Sequence, residues 1–305
     1  MPSVTSRAPA KVNLALAVGA PDEDGVHVLA TIFHAVSLVD EVVATAMAAG
    51  TGPRIDVEGE GAAELPDGDD NLAVRAARAV AERAGIAPDV HLLIRKAIPV
   101  AAGLAGGSAD AAAALVACDT LWSAGLDRTE LAELAAQLGS DVPFALLGGT
   151  AVGLGRGERL TPALARGRFE WVFAVADEGL ATPSVYAELD RLREERVLAE
   201  PRVNDAVMSA LRSGRAAALG EALCNDLQPA ALSLRPNIMR VLEAAEEYGA
   251  LGSVVCGSGP TVALLARDAE HAIDLAVSLT ASDVCRTVKR AHGPVPGARV
   301  LDVRG

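Results

Sequence analysis

The sequence predicts an α+β protein in two domains, and three observations carry that prediction. Strand signals dominate the early part of the chain, helical and strand periodicities mix through the later part, and Pro162 and Gly167 interrupt the pattern between Gly157 and Glu170. A length of 305 residues suits two modest domains or one large one, with 51% hydrophobic residues to fill the core. The interruption puts the division at residues 1–160 and 161–305.

Taken in order, alternation over 11–18 and the β-branched run over 28–43 read as strands, and 54–58 as another. Apolar spacing over 71–84 is helical, 90–95 is a short strand, and 109–122 is an alanine-rich helix able to pack closely on a sheet. Asp127 with Glu130 three residues later marks a capped helix start, and Gly139 ends that helix. Glycines at 148, 149, 153, 155 and 157 break up a strand. The run at 153–157 superficially matches a dinucleotide fingerprint, but no helical pattern follows it. Beyond the interruption, 171–176 is a buried strand, and helices are expected near 184–196, 204–211 and 236–248. Two strands flank the turn at 257–260, a helix covers 269–279, and a last strand lies near 284–290.

Composition narrows the function. With 40 acidic against 27 basic side chains the formal charge is −13, which argues against a surface for nucleic acid or anionic lipid. No apolar run is long enough to suggest a membrane span and no signal pattern opens the chain, so a cytoplasmic protein is expected. Cys118, Cys224, Cys256 and Cys285 and the five histidines show no metal-ligand spacing, so reduced, mostly buried thiols are expected. Positive charge is almost all arginine. The only lysines are Lys11, Lys96 and Lys289, the first two inside or beside the motifs below, where a compact ammonium is not replaceable by a planar guanidinium. Lys289 reads as a surface charge.

The most informative stretch is Pro99, Val100, Ala101, Ala102, Gly103, Leu104, Ala105, Gly106, Gly107, Ser108 and Ala109, a glycine-rich turn running into a helix. Glycines let the backbone take positive φ and approach an anion, and the first N–H groups of a helix favour a phosphate. An ordinary strand-to-helix loop is the alternative. Ser108 could hold a phosphate oxygen or Mg²⁺, or serve as a helix cap. Asp141, between Gly139 and Pro143, could be a general base or the cap of the following helix. A P-loop site is excluded, because no Gly-Lys-Ser or Gly-Lys-Thr occurs.

With two further segments, that stretch resembles the GHMP kinases, the superfamily of galactokinase, homoserine kinase and mevalonate kinase. Ala8-Pro9-Ala10-Lys11-Val12-Asn13-Leu14 is similar to their first motif, the loop at 99–109 to their second, and residues 252–261 around Gly257 and Ser258 to their third. The segments at 25–33 and 139–144 resemble one branch, whose acceptor is a sugar alcohol carrying cytidine diphosphate. The resemblance implies a two-domain GHMP fold, with a left-handed βαβ crossover in the amino-terminal α+β domain and a ferredoxin-like carboxy-terminal one. It implies a kinase using ATP and Mg²⁺ on small-molecule substrates, monomeric or homodimeric. ATP is then expected on residues 99–109 with Asn71 and Lys96. Lys11 and Asp141 are the catalytic pair, and Asn13, Val26, His27, Phe33, Thr182, Tyr186, Gly257 and Ser258 meet the acceptor.

On the residues alone, a core tyrosine is the alternative for Tyr186, and His27 is expected at an exposed edge. The family usually has tyrosine where Val26 stands, and glycines where Ala102 and Ala105 stand. Those alanines leave the cradle intact if their φ values are negative. Another GHMP kinase and a non-catalytic ligand sensor on the same fold are the rival readings, the second expected to have lost Lys11 or Asp141.

Overall fold

A computed structural model describes residues 1–66, 68–194 and 200–305. The chain opens on a long hairpin of β1 (Ser3–Pro21) and β2 (His27–Ala46). Next come β3 (Arg54–Gly59), α1 (Leu72–Ala84) and β4 (Val90–Lys96), a crossover that leaves β3 and β4 parallel. Helices α2 (Gly106–Trp122), α3 (Arg128–Leu138) and α4 (Val142–Leu147) lead to the hairpin of β5 (Thr150–Gly155) and β6 (Arg159–Pro162). The remainder runs β7 (Phe169–Val175), α5 (Thr182–Arg193), α6 (Asp205–Ser213), α7 (Ala216–Ala222), β8 (Cys224–Asn225), α8 (Gln228–Leu234) and α9 (Ile238–Glu247). It ends with β9 (Gly252–Val255), β10 (Val262–Ala266), α10 (Ala269–Ala281), β11 (Thr287–Gly293) and β12 (Arg299–Arg304).

The first sheet has the order β12-β1-β2-β4-β3. Because β2 is long, it pairs with β4 through residues 41–46 and with β5 through residues 29–34. The second sheet is antiparallel in the order β11-β7-β10-β9, its first strand lying between its last and its third, as in a ferredoxin-like domain. Period-two alternation buries both faces of β7. Trp171 and Phe173 join the large core that also holds Val207, Leu211 and the first sheet, while Val172 and Ala174 pack with Val241 and Leu275 of α9 and α10. The α+β fold in two sheet-centred parts is as the sequence predicts.

Several boundaries differ. α2 begins at Gly106 rather than 109, because its cap is Ala105 in the left-handed region and three poor helix starters are held by packing. The helix expected over 184–196 begins at Thr182; its predicted end, Arg196, lies outside the described residues. α7, α8 and β8 were not predicted, being short and weakly periodic. The strand near 284–290 is β11, and it is not the last. β12 crosses back to pair with β1, through partners such as Val4 and Val303, a long-range pairing that local pattern does not encode. The division expected at 160/161 falls inside β6, which pairs with β5 of the first sheet, so we propose the connection at 163–168, between β6 and β7, as the boundary of the two parts.

Candidate active site

A cleft of about 840 Å³ opens where the hairpin β1–β2, the 97–105 loop, α5 and the 257–260 turn converge. Its volume lies within the usual range of small-molecule sites. Each wall has a local cause. Lys11 and Asn13 sit on β1 beside an irregularity in its register with β2 between Asn13 and Ala15, a device that re-aims side chains near a site. The Lys11 N–H donates to the Leu104 carbonyl at 3.2 Å, which fastens the first motif to the second. On the far side, the Asn225 carboxamide donates to the carbonyls of Val255 and Gly257 at 2.8 and 2.7 Å, fastening the third.

The chemistry centres on Lys11. Its buried ammonium donates to Asn13 Oδ1 at 2.8 Å, stands 3.7 Å from Asp141 Oδ2, and lies 5.7 Å over the ring of Phe33, within cation–π range. Phe33 is in turn stacked on Phe144 of α4 at 4.9 Å. Asp141 stands at the start of α4 but makes no capping hydrogen bond. The cap alternative therefore loses its support, and the carboxylate faces the cleft. Asn13 also donates to Thr31 Oγ1 at 2.8 Å, so the Lys11–Asn13 arm is held at both ends.

Beside this pair, His27 Nε2 meets Asp190 Oδ1 at 2.8 Å and the His27 ring lies 4.9 Å from that of Tyr186. Burial, with the nearby Asp141 carboxylate, pushes the Tyr186 hydroxyl up to about 12. His27 is buried, not at an exposed edge as the sequence suggested, because α5 closes over it; its neighbours Val26 and Val28 are exposed. Thr182 and Ser258 hydroxyls are 2.9 Å apart across the mouth, and Gly257 lines it with them.

Of the loop residues, Pro99, Val100, Ala101, Ala102, Gly103, Ala105, Gly106 and Gly107 line the cleft. Leu104 and Ala109 are buried in the core. Ser108 occupies the third helical position of α2, so it is not a cap. Only Gly103 among the three glycines takes positive φ, at 76°. Gly106 is constrained by space instead: a Cβ there would come 3.1 Å from both Ile98 Cγ2 and Lys96 Nζ, a tight contact. The condition set for the two alanines fails at Ala105, whose φ is 59°, and Ala101 shares the left-handed region at 50°.

Two residues expected at the nucleotide also have partners within the protein. Asn71 caps α1, accepting from the Ala73 N–H at 2.9 Å. Lys96 reaches the edge of the cleft, but its ammonium is buried between Asp40 and Asp110. Sequence reading passed over Ser140, Arg156, Ala187 and Asp190, which also line the cleft. Arg156 had a usable signal, a lone cation between Gly155 and Gly157; it pairs with Asp22 and Asp24 at 3.1 and 2.7 Å across the loop that carries Val26. Lys289 pairs at the surface with Glu60 at 3.3 Å.

Comparison with known proteins decides the family. Models of the GHMP kinases N terminal domain and the GHMP kinases C terminal match residues 71–149 and 207–283. A 4-diphosphocytidyl-2-C-methyl-D-erythritol kinase of Streptomyces coelicolor is 57% identical over 300 residues, covering 98% of this chain and all of that one. The chain belongs to this family of GHMP kinases. A Mycolicibacterium smegmatis kinase of the same name is 54% identical over 98% of this chain and 92% of its own. A crystal structure of 4-(cytidine 5'-diphospho)-2C-methyl-D-erythritol kinase superposes with a TM-score of 0.77 at 34% identity, covering 94% of this chain and 98% of that one. A homoserine kinase from Cytophaga hutchinsonii, at 18% identity and a TM-score of 0.74 over 98% of this chain and 97% of its own, shares the fold. GHMP kinases draw their phosphate from ATP. No helix among the described residues is long and apolar enough to cross a membrane.

Proposed function

We propose that this kinase transfers the γ-phosphoryl group of ATP to the 2-hydroxyl of 4-diphosphocytidyl-2-C-methyl-D-erythritol, a step of non-mevalonate isoprenoid synthesis. The observation that carries the reading is the Lys11–Asp141 pair, 3.7 Å apart, where the 99–107 loop and the His27–Tyr186 wall meet. Phosphoryl transfer asks mainly for positioning and charge stabilisation. Backbone N–H groups at the start of α2 suit the donor phosphates, and Asp141 suits the acceptor hydroxyl, orienting it and taking its proton as the new O–P bond forms. Lys11, steadied by Asn13, then offsets the negative charge that develops on the transferring group. His27 and Tyr186 give the cytosine an aromatic seat and Val26 its rim. Thr182, Ser258 and Gly257 bound the same space.

Mg²⁺ fits as an ion carried in by the nucleotide, whose phosphate oxygens would ligate it. No cluster of three His, Cys, Asp or Glu side chains among the described residues could hold a metal. Mg²⁺ commonly takes one or two protein oxygens and completes its shell with phosphates and water. Ser108 is the hydroxyl that the donor loop offers to such an ion, which would neutralise phosphate charge. Four free cysteines support work in the reducing cytoplasm.

The test is ADP release on adding the cytidine diphosphate acceptor, in the wild type and in Asp141→Asn. The variant keeps size and hydrogen bonding, so it should fold and bind ATP while turnover falls about 10²- to 10⁴-fold. Near-normal turnover would remove Asp141 from the reaction. Turnover with homoserine or mevalonate instead of the cytidine substrate would assign another acceptor.

A further inference from the structure

Beneath the donor loop lies a sealed group of charges that the reaction does not use directly. Lys96, the last residue of β4, has its ammonium 2.5 Å from Asp40 Oδ2 on β2 and 2.7 Å from Asp110 Oδ2 in α2, with all three side chains at most 3% exposed. The other oxygen of Asp40 accepts the N–H groups of Ala97 and Ile98 at 2.6 and 2.9 Å. Asp110 Oδ1, though buried, has no hydrogen-bond partner among the described residues.

Each link ends on the same loop. Ala97 and Ile98 begin it, Asp110 sits one turn into the helix that ends it, and Lys96 Nζ lies directly under Gly106. Between those ends, Ala101 and Ala105 adopt left-handed backbone angles that residues with a Cβ avoid. Such conformations persist only where the surroundings over-determine them. The anchor has to be stiff, and buried charge-assisted hydrogen bonds supply stiffness.

We propose that Asp40, Lys96 and Asp110 act together as a buried pin that holds the 97–109 backbone in its phosphate-receiving shape, positioning the donor without touching it. This rests on reading that loop as the ATP cradle, and it gives Lys96 a role other than phosphate contact. One ammonium between two carboxylates leaves an excess negative charge in a dry site. Burial pushes the Asp110 carboxyl upward, against the pull of Lys96. Burial alone would lower Lys96, but Asp110 and Asp40 outweigh it and raise it, so the ammonium stays charged.

Asp110→Ala removes one arm and leaves a charge-balanced Asp40–Lys96 pair, so it should fold. Calorimetric titration with a non-hydrolysable ATP analogue should show affinity weakened about tenfold or more, as expected when a binding loop is loosened. The KM for the acceptor should stay within about twofold, a split that a general loss of structure would not produce. Asp110→Asn keeps an oxygen for Lys96 and should restore nucleotide affinity to within about twofold of wild type. Asp40→Asn, if it folds, should behave like Asp110→Ala. Asp110→Ala with wild-type nucleotide affinity, or with both substrates weakened alike, overturns the pin. A wild-type protein that fails to bind the analogue overturns the cradle reading beneath it.

Discussion

The two sides of the cleft are built from different materials. The side proposed for the donor is mostly backbone: a loop of small residues, two left-handed alanines and the start of a helix, above three buried ionisable side chains. The side proposed for the acceptor is mostly side chains, His27, Tyr186, Thr182 and Phe33, with one rim loop tied by an exposed arginine to two aspartates. A backbone site offers N–H groups that no substitution except proline removes, but it fails when the path of the chain shifts. A side-chain site can lose one contact at a time. The donor side should therefore respond to change abruptly, and the acceptor side by degrees.

The largest expected effect breaks the donor side alone. Gly106→Val places a branched side chain against Lys96 Nζ and Ile98 Cγ2, atoms already 3.1 Å from where its Cβ would stand. Overpacking of this kind costs about 1–3 kcal/mol of stability, and the displaced loop should lose nucleotide affinity by about a hundredfold. Titration of the cytidine substrate should show little change. Nucleotide affinity equal to wild type would mean that the phosphates do not lie on this loop.

The same contrast explains what the sequence made legible. The donor motif was readable because glycines and alanines must be small wherever a backbone approaches a ligand. Lys11 and Asp141 were readable through family resemblance, since spacing alone left base and cap undecided for Asp141. The pin was not readable. Lys96 in sequence is one cation beside a motif, and its two carboxylate partners lie 56 and 14 residues away. The left-handed φ of Ala105 was also hidden, because alanine in a glycine-rich loop signals small size and nothing about backbone angle. β12 pairing with β1 joins the two ends of the chain, and local periodicity carries no information about such a partner. Asn71 matched the family as a nucleotide residue, yet its position before an apolar helix was also a cap signal.

The two sides share a foundation in β2, which carries Asp40 under the donor loop and Phe33 under the acceptor. Between them His34 is fully buried, bonded to Thr150 Oγ1 at 2.8 Å and packed near Phe169 and Trp171 of the second sheet. Burial lowers it from 6.5 to about 3, against a raising contribution from the Gly293 carbonyl. Its neutral form is therefore the folded one. Stability from this group is complete above pH 6.5 and falls as pH drops toward about 3, because the unfolded chain takes up the proton first. The slope is about 1.4 kcal/mol per pH unit, or about 2 kcal/mol by pH 5. Urea unfolding of the wild type and of His34→Gln at pH 7 and pH 5 isolates the contribution. An equal loss in both proteins would show that His34 does not govern it.

The smallest expected effect sharpens the acceptor side, at the position where this chain departs from its family. Val26 is exposed, lines the cleft next to His27, and stands on the loop that Asp22 and Arg156 hold in place. If the cytosine sits against His27 and Tyr186, a tyrosine at 26 adds a second aromatic face to a seat that already exists. One aromatic contact is worth on the order of 1 kcal/mol, so Val26→Tyr should lower the dissociation constant of the cytidine substrate by about tenfold or less. Nucleotide affinity should not move, because the donor loop shares no side chain with this rim. Titration of the cytidine substrate with a non-hydrolysable nucleotide present, on both proteins, measures the difference. Weaker cytidine binding in the tyrosine variant, or tighter nucleotide binding, would place position 26 away from the base and dissolve the division between a backbone-built donor side and a side-chain-built acceptor side.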